Sequence, residues 1–566
     1  MNGPRQSRAA SANIPNFRDL RERISAEKYQ WVQQYPLLAA SLEIKQGGSN
    51  FVLNPAGKLD RPHLTATFSA FAWAIAGDAQ IAEVIQNNGL NTVYCQEKYL
   101  SLGGAEHDTF FLYTQLIMEN CVNVIGGGLA GVEAAWQAAE MGANVRLYEM
   151  RPVQQTPAHR TDKLAEIVCS NSLKTDEPGS APYLLKEELR RGGSMVLDVA
   201  HATRVPAGAA LSVDRIKFAE MITERIEAHP NIEIVREEVT EIPIDGVSII
   251  ATGPLTSDAL TREIMKLTGD DQLYFYDAIA PIIAADSIDM SIAFKAARYD
   301  KGGDDYINCP MDREQYETFI AEVLAAKSVP LKRFEETHWF ESCLPIEEIA
   351  RRGPETLRFG PMKPKGLRHP QTGEEPYACV QLRQENLMAD AYGMVGFQNH
   401  LRYGEQERVL KLIPGLENAE FLQFGQIHRN TFINSPKILN ESLETRANPH
   451  LFFAGQITGV EGYVESVATG WLAGINAVRA LRGEEMITAP QTSAIGALCR
   501  YVSNVETKNF QPVNITFGLL EPLPVELRKK HRNKRERHTI QVERALVDWD
   551  EWIAEILPLP LGNGHK

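Results

Sequence analysis

The sequence lacks three features that define large classes of protein. Its 566 residues carry a formal charge of −15, which excludes a surface coated with basic residues but allows a local basic patch. Its seven cysteines form no CxxC pair, which argues against a zinc finger or a disulfide framework and for a reducing compartment. A membrane-spanning helix needs about 20 apolar residues, and no apolar run in the sequence approaches that length. The N-terminus is polar and shows no signal peptide. A cytoplasmic protein without a metal site is therefore expected.

The most informative stretch present runs from 122 to 149. A short β-branched run ends at Gly126, helical periodicity begins near Leu129, and a second apolar run ends at Glu149. This order is typical of a βαβ dinucleotide-binding unit. Gly126 permits a tight turn, Gly128 allows the backbone to approach a pyrophosphate, and Gly131 allows close packing of helix on strand.

Later segments return to the same theme. The run Val247–Gly253 is typical of a buried strand that ends at a cofactor, and 448–478 adds another strand, a glycine-rich loop and a helix of small residues. Gly455 is followed by Gln456 instead of an aspartate, so no anionic role is assigned there. The residues predicted to bind the cofactor are Gly126, Gly127, Gly128, Leu129, Ala130, Gly131, Glu149, Gly455 and Gly459. The glycine motif alone does not separate flavin from nicotinamide.

These patterns divide the chain into five segments. We predict an N-terminal extension of unknown role, two parts of one dinucleotide-binding domain separated by an insertion or substrate domain, and a basic helical tail; their bounds are 1–117, 118–275, 276–439, 440–500 and 501–566. From about 258 to 440 the pattern indicates longer helices and irregular segments. One hypothesis is that 1–117 is an appended, dispensable segment and that Met118 is the functional start.

Several long motifs together resemble one family. They include VNVIGGGLAGVEAAWQ, IVCSNSLKTDEPGSAPYLLKEELR, FESCLPIEEIARRGPETLRFGPMKPKGL and FFAGQITGVEGYVES. They are similar to the folate- and FAD-dependent tRNA (uracil-5-)-methyltransferases of bacteria, from about residue 118 to 537. The resemblance implies an α/β fold with a glutathione-reductase-like Rossmann FAD-binding domain, interrupted by a smaller α+β insertion domain.

The resemblance also implies a reaction. Such enzymes take a one-carbon unit from 5,10-methylenetetrahydrofolate, reduce it with electrons from NAD(P)H through FAD, and make 5-methyluridine in the T-loop of tRNA. The alternative is the related flavoprotein that modifies wobble uridines in tRNA, and a third possibility is a non-catalytic flavin-bearing RNA-binding protein. The oligomeric state and the choice between NADH and NADPH stay open.

Two cysteines match the family's catalytic motifs, Cys169 in VCSNS and Cys343 in ESCLPIEE. Carbon 5 of uracil becomes nucleophilic only after a thiolate adds to carbon 6, and a base must later remove the proton from carbon 5. We assign Cys343 as the nucleophile and Cys169 as the base or the flavin-side partner. Cys95, Cys121, Cys379 and Cys499 are interpreted as small hydrophobic residues, while Cys309 allows either interpretation.

Four other segments are candidates for substrate contact. Two basic runs, 351–368 and 528–538, are each interpreted either as solvated surface or as contacts to RNA phosphates. The segment 400–405 groups an aromatic with polar residues suited to stacking on a pterin or a uracil. The segment His428–Asn430 is similar, and its place before the return to the FAD domain favours a position at the site.

Overall fold

The fold is described from a computed structural model of the chain. The structure describes residues 121–156, 158–243, 245–269, 273–300, 303–330, 344–507 and 510–556. The predicted extension over 1–117 and the hypothesis about Met118 lie outside the described residues.

Sixteen strands are assigned in the described residues. They are β1 (Cys121–Ile125), β2 (Asn144–Tyr148), β3 (Ser172–Thr175), β4 (Arg204–Val205), β5 (Ala210–Val213), β6 (Ile232–Val235), β7 (Val247–Ile250), β8 (Leu273–Ala278), β9 (Ile282–Ala284), β10 (Phe294–Lys295), β11 (Tyr306–Met311), β12 (Ala378–Gln384), β13 (Ala391–Met394), β14 (Phe421–Gln423), β15 (Ile427–Phe432) and β16 (Leu451–Phe453).

Fourteen α-helices accompany these strands in the described residues. They are α1 (Leu129–Glu140), α2 (Ala181–Arg191), α3 (Met195–Ala202), α4 (Arg215–Ala228), α5 (Asp258–Thr268), α6 (Arg313–Ala325), α7 (Ile346–Arg351), α8 (Thr356–Phe359), α9 (Tyr403–Leu410), α10 (Ser435–Ile438), α11 (Tyr463–Leu481), α12 (Ala494–Ser503), α13 (Val525–Lys530) and α14 (Lys534–Ile556).

A five-stranded sheet in the order β16-β7-β1-β2-β6 forms the centre of the cofactor domain. The pairs β1–β7 and β7–β16 are parallel. The residues of β1, β7 and β16 are all buried, which explains their continuous apolar runs, because strands covered on both faces cannot alternate with polar residues. Strand β16 comes from the far end of the chain, so the predicted return to the first domain is confirmed.

Helices α1 and α11 pack closely beside this sheet. A Cβ atom at Gly470 would lie 2.2 Å from the carbonyl oxygen of Ala130, and one at Gly474 would lie 2.5 Å from that of Ala134. Only glycine therefore permits this separation of the two helices. At the other end of the chain, α14 places Trp549 against Trp471 of α11, with the ring centroids 5.5 Å apart.

The inserted region is built on a six-stranded sheet in the order β10-β11-β12-β13-β9-β14, and all the pairs formed in it are antiparallel. Its apolar core packs α6 against this sheet, and α6 begins with a capping box between Asp312 and Gln315. The expectation of mainly longer helices between 258 and 440 is wrong, because strands with short connections fill much of this region. Short apolar runs in this region belong to buried strands, which periodicity alone does not separate from buried helical segments.

A two-stranded antiparallel ribbon of β8 and β15 leads into and out of the inserted region. A small three-stranded sheet, β3-β5-β4, follows the loop that contains Cys169. The expected α/β class, a Rossmann sheet interrupted by an α+β insertion, is confirmed. The five domain boundaries stay predictions.

Candidate active site

The turn between β1 and α1 is shaped by glycines. Gly126 has φ +109°, and a Cβ atom there would lie 2.6 Å from the carbonyl oxygen of Ala251. At Gly131 a Cβ atom would lie 1.8 Å from the carbonyl oxygen of Gly126. Gly128 differs, because a Cβ atom there would meet no atom within 4 Å. The first and third glycines are thus required by packing, and the second faces open space at the start of α1, where a phosphate group can approach.

A second glycine loop completes this arrangement. Gly455 has φ +82°, and a Cβ atom there would lie 2.8 Å from the Cβ of Ala130. The N–H of Gly455 donates to Oγ1 of Thr469 on α11 at 2.8 Å. We call 126–131 together with Gly455 the glycine cradle. The loop ends at Gly459, whose φ is +86° and whose Cβ would collide with Phe510 at 2.4 Å.

Glu149 lies directly after β2 and lines an open cleft together with Gly126, Gly127 and Gly128. One carboxylate oxygen accepts from the N–H of Gly127 at 3.1 Å, and Arg151 pairs with the carboxylate at 2.9 Å. Burial disfavours the charged form, but hydrogen bonds and the positive charge of Arg151 outweigh it, so the pKa of Glu149 is lowered. The carboxylate therefore lies charged at the predicted place beside the glycine turn, and its ribose contact stays a prediction.

The backbone of the Cys169 loop is tied to α11 by Tyr463, the first residue of that helix. The phenolic oxygen of Tyr463 accepts from the N–H of Cys169 at 3.0 Å and from the N–H of Ser170 at 3.1 Å. Burial raises the pKa of Tyr463, and the nearby Cys169 adds to the shift. The thiol loop and the second glycine loop are therefore held together by a neutral phenol.

Two arginines flank the same loop. Arg215 donates to the carbonyl oxygens of Ile167 and Val168 at 3.3 Å and of Cys169 at 3.4 Å, and its Nε pairs with Glu385 at 2.6 Å. Burial opposes the charge of Arg215, but the negative groups around it prevail and its pKa is raised.

Arg383 comes from β12 in the inserted region. It donates to the side-chain oxygens of Ser170 and Asn171, each at 2.7 Å. Burial lowers its pKa, while Glu385 and Cys169 oppose that shift. We call Cys169, Ser170, Arg215, Arg383 and Tyr463 the thiol cluster.

The Cys169 side chain is partly exposed, and its Sγ lies 4.0 Å from the carbonyl oxygen of Ala278 at the end of β8. The thiol therefore lies where the cofactor domain passes into the inserted region. Sequence reasoning identified Cys169 but missed both arginines, because neither belongs to a local motif. Tyr463 was present in the quoted GYVES motif without being recognised as a contact of the thiol loop.

Cys343 lies outside the described residues, so its assignment as nucleophile and its pairing with Cys169 stay predictions. The described chain resumes at Leu344, which is buried. The N–H of Ile346 then donates to the carbonyl oxygen of Gln398 at 2.8 Å. Arg351, which follows in sequence, pairs with Glu348 on its own helix.

The other described cysteines, Cys121, Cys309, Cys379 and Cys499, all lie in the core. Burial raises the pKa of Cys379 to about 12 and holds those of Cys309 and Cys499 well above their ordinary value. These four thus fit the interpretation as small hydrophobic residues. Cys95 lies outside the described residues.

The candidate substrate segments differ from one another. In the first basic run, Arg358 pairs with Glu355 at 3.1 Å and lies over the ring of Tyr377, whereas Lys363 and Lys365 are exposed. In the second run, at the junction of α13 and α14, most of the cations are exposed. His400 is buried against Glu347, so it offers no free face for stacking, while Tyr403 is 55% exposed. Asn430 is buried, and the side chains of 428 and 429 lie outside the description.

Two features are absent from the part of the chain that the structure describes. No group of three or more His, Cys, Asp or Glu side chains could hold a metal ion there. Within the same residues, no helix combines the length and the apolar character that crossing a membrane requires.

Comparison with known sequences places this geometry in context. Residues 121–485 match the family described as Glucose inhibited division protein A. A protein of Koribacter versatilis (strain Ellin345) is 59% identical over 434 residues, which cover 76% of this chain and 98% of the relative. A protein of Bacillus subtilis (strain 168) is 54% identical over 428 residues, which cover 76% of this chain and 97% of that relative. Both are named "Methylenetetrahydrofolate--tRNA-(uracil-5-)-methyltransferase TrmFO".

Solved structures show the same fold at lower identity. GidA of Aquifex aeolicus in its form I crystal has a TM-score of 0.58 and is 19% identical, covering 78% of this chain and 76% of that chain. The form II crystal has a TM-score of 0.57 at the same identity, and the match covers 78% of this chain and 74% of that chain. This likeness supports the interrupted Rossmann architecture and nothing finer.

Proposed function

The chain belongs to the TrmFO family of methylenetetrahydrofolate–tRNA (uracil-5-)-methyltransferases, and from that premise we propose how its residues carry out the reaction. It is a flavin-dependent methyltransferase that transfers a one-carbon unit from 5,10-methylenetetrahydrofolate to carbon 5 of a uridine in tRNA. NAD(P)H is the reductant, and the uridine of the T-loop is the target. The free thiols suit a reducing compartment, the cytoplasm.

The glycine cradle fits FAD. The open space at Gly128 and the free N–H groups at the start of α1 suit a pyrophosphate, and Glu149 suits a ribose hydroxyl. When bound, FAD supplies the electron transfer that reduces the one-carbon unit to a methyl group. Gly455 and Gly459 keep the second loop close enough to complete the binding surface.

The cysteines divide the remaining chemistry. The thiolate of Cys343 adds to carbon 6 of the uracil, and the electron pair moves to form an enolate, which makes carbon 5 nucleophilic. After carbon 5 has accepted the one-carbon unit, the thiolate of Cys169 takes the proton from carbon 5, and the bond between the one-carbon unit and its carrier breaks to leave an exocyclic methylene. A hydride derived from NAD(P)H reduces this methylene to methyl, and the same electron flow breaks the bond between sulfur and carbon 6, which restores the ring and releases the Cys343 thiolate. The guanidinium groups of Arg215 and Arg383 offer positive charge to the anion at Cys169.

The observation that carries the proposal is the position of Cys169. Its loop contacts Tyr463 of the cofactor domain and Arg383 of the inserted region, and this position between the two regions supports a role for the thiol between flavin and substrate. The wobble-uridine alternative is not favoured, because the relatives at 54% and 59% identity carry the uracil-5 name. A non-catalytic role does not explain a partly exposed thiol in a loop that two arginines hold.

The test is a methylation assay on unmodified tRNA. With methylenetetrahydrofolate and NAD(P)H the protein should form 5-methyluridine, and with S-adenosylmethionine alone it should form none. Cys169→Ala should abolish turnover while retaining FAD, whereas Cys309→Ala, which removes a buried thiol, should remain active. Methyl transfer only from S-adenosylmethionine would overturn the proposal.

A covalent trap separates the roles of the two thiols. Transfer RNA containing 5-fluorouridine should form a stable adduct with the wild-type protein and with Cys169→Ala, because the nucleophile is intact in both. The adduct should be lost in Cys343→Ala. An adduct that survives Cys343→Ala would reverse the two assignments.

A further inference from the structure

Three aromatic rings are stacked in a row on the inserted region. The rings of Phe421 and Phe424 have centroids 5.2 Å apart and planes at 21°, and those of Phe424 and Tyr403 are 5.2 Å apart with planes at 25°. Phe421 lies on β14 and packs against the core of the inserted region. We call these three rings the aromatic stack. It leads from the core to the surface and ends at Tyr403.

The outer ring is both exposed and held in place. Tyr403 is 55% exposed. Its ring is supported from behind by Phe424, and its hydroxyl accepts from Nε2 of Gln426 at 3.3 Å. An exposed tyrosine alone is ordinary, but a ring fixed at the end of a stack presents a preformed planar surface. Such surfaces bind other planar rings at low entropic cost.

The charge beside this ring is positive. Arg402 and Lys327 are both exposed, and the N–H of Arg402 donates to the carbonyl oxygen of Lys327 at 3.0 Å, so the two residues are neighbours. Neither side chain forms an ion pair with any residue that the structure describes. The acidic residues of α9 are engaged, Glu405 with Arg408 and Glu407 with Lys411, each at 2.8 Å.

The aromatic stack is connected to the thiol. Gly425, directly after Phe424, is held by the side-chain amide of Gln406 through two hydrogen bonds of 2.7 and 2.9 Å. The carbonyl oxygen of Gln426 accepts from the N–H of Ile279 at 2.7 Å. Ala278 is the residue before Ile279, and its carbonyl oxygen lies 4.0 Å from Sγ of Cys169.

We propose that the exposed face of Tyr403 stacks on a nucleobase of the bound tRNA near the target uridine, while Arg402 and Lys327 contact its phosphates. A planar ring beside two free cations matches a nucleotide, which offers a base and an anion together. The proposal rests on tRNA being the substrate, as stated above. The role differs from that of the thiol cluster, because Tyr403 recognises the RNA and takes no part in bond making.

The test compares Tyr403→Ala with Tyr403→Phe and with Phe359→Ala. Phe359 is 73% exposed in the same inserted region and serves as the matched control. Removing the ring should raise the Kd for unmodified tRNA about tenfold, since stacking on an aromatic ring contributes on that scale. The Phe variant and the control should bind tRNA like the wild type. FAD content and the KM for methylenetetrahydrofolate should not change in any of the three.

A salt titration tests the cations separately. In the double variant Arg402→Gln/Lys327→Gln, the slope of log affinity for tRNA against log salt should become shallower by about 1 to 1.5, as expected for the loss of two phosphate contacts to single-stranded RNA. The control is Lys217→Gln/Arg262→Gln, whose exposed cations lie on α4 and α5 outside both basic runs, and it should keep the wild-type slope. An unchanged slope in the first pair would remove the phosphate part of the proposal.

The outcomes distinguish this proposal from the proposed function. If the wild-type protein methylates tRNA and Tyr403→Ala binds tRNA equally well, the nucleobase role is wrong. If Tyr403→Ala raises only the KM for the folate, the ring serves the folate and the nucleobase proposal is again wrong. If the wild-type protein does not methylate tRNA at all, it is the proposed function that fails.

Discussion

The glycine cradle and the thiol cluster lie close together but are constructed in opposite ways. The cradle consists mainly of backbone from one βαβ unit, and its glycines avoid collisions as short as 1.8 Å. The thiol cluster consists of side chains from four segments, including 169–170 and Tyr463, which lie almost three hundred residues apart and still bond at 3.0 Å. A backbone site depends on local spacing, whereas a side-chain site depends on the whole fold. Substitutions should therefore damage the two regions differently.

The largest effect is expected in the glycine cradle. Gly131→Ala would place a Cβ atom 1.8 Å from the carbonyl oxygen of Gly126, and the backbone must move to relieve that collision. We expect a loss of stability on the order of 4 kcal/mol, in the range of severe core defects, together with loss of bound FAD. Thermal melting and flavin absorbance of the purified protein measure both effects.

Gly128→Ala is the matched control, since a Cβ atom at this position meets nothing within 4 Å. The flavin-free protein should melt as the wild type does, and only its affinity for FAD should fall. If both alanine variants melted alike, the distinction between packing glycines and a ligand-facing glycine would be wrong.

A smaller and more selective effect is expected in the thiol cluster. Arg215 binds three carbonyl oxygens of the thiol loop and pairs with Glu385. In Arg215→Met the loop loses this support, and kcat should fall about a hundredfold, as expected when a reacting group is misplaced by about 1 Å. The KM for tRNA should change little, because Arg215 acts through Cys169. Steady-state kinetics at saturating folate measure the split.

The Arg215→Met variant also leaves Glu385 buried without its partner, which costs about 3 kcal/mol of stability. Adding Glu385→Gln should restore part of that stability without restoring kcat. Recovery of kcat in the double variant would show that the unpaired carboxylate of Glu385 caused the loss of activity. The positioning role of Arg215 would then be wrong.

The difference in construction also explains what the sequence could predict. Strand β1, the three glycines, α1 and the acid after β2 follow one another within 28 residues, so local spacing was enough to predict them. The contacts of Arg383 with Ser170 and Asn171 of the Cys169 loop arise only after the inserted region has folded beside the cofactor domain. The inserted region contains less helix than its sequence predicts. Its sheet is assembled from strands that are distant in sequence, so local patterns do not reveal it.

The effect expected to be smallest at each step of its measurement is a pH dependence of stability in α1, the helix that follows the glycine turn. Glu133 on α1 is fully buried and accepts from Oγ of Ser194 at 2.9 Å and from the N–H of Val196 at 3.0 Å. Burial outweighs these bonds and raises the pKa of Glu133 from 4.5 to about 7. Between these two values the folded protein holds a proton that the unfolded chain has released.

The contribution of Glu133 is therefore fully present below pH 4.5 and is lost as the pH rises to about 7, by about 1.4 kcal/mol per pH unit. Chemical denaturation across this range should show a slope that is shallower by that amount in Glu133→Gln than in the wild type, since the buried Glu188, whose pKa is also raised, contributes equally in both. Glu149→Gln should keep the slope, because the pKa of Glu149 is lowered and its own contribution disappears only as the pH falls below about 4.5. The stability contributions of two acids in one βαβ unit would then change with pH in opposite directions. Burial without a cation raises the pKa of Glu133, whereas pairing with Arg151 lowers that of Glu149.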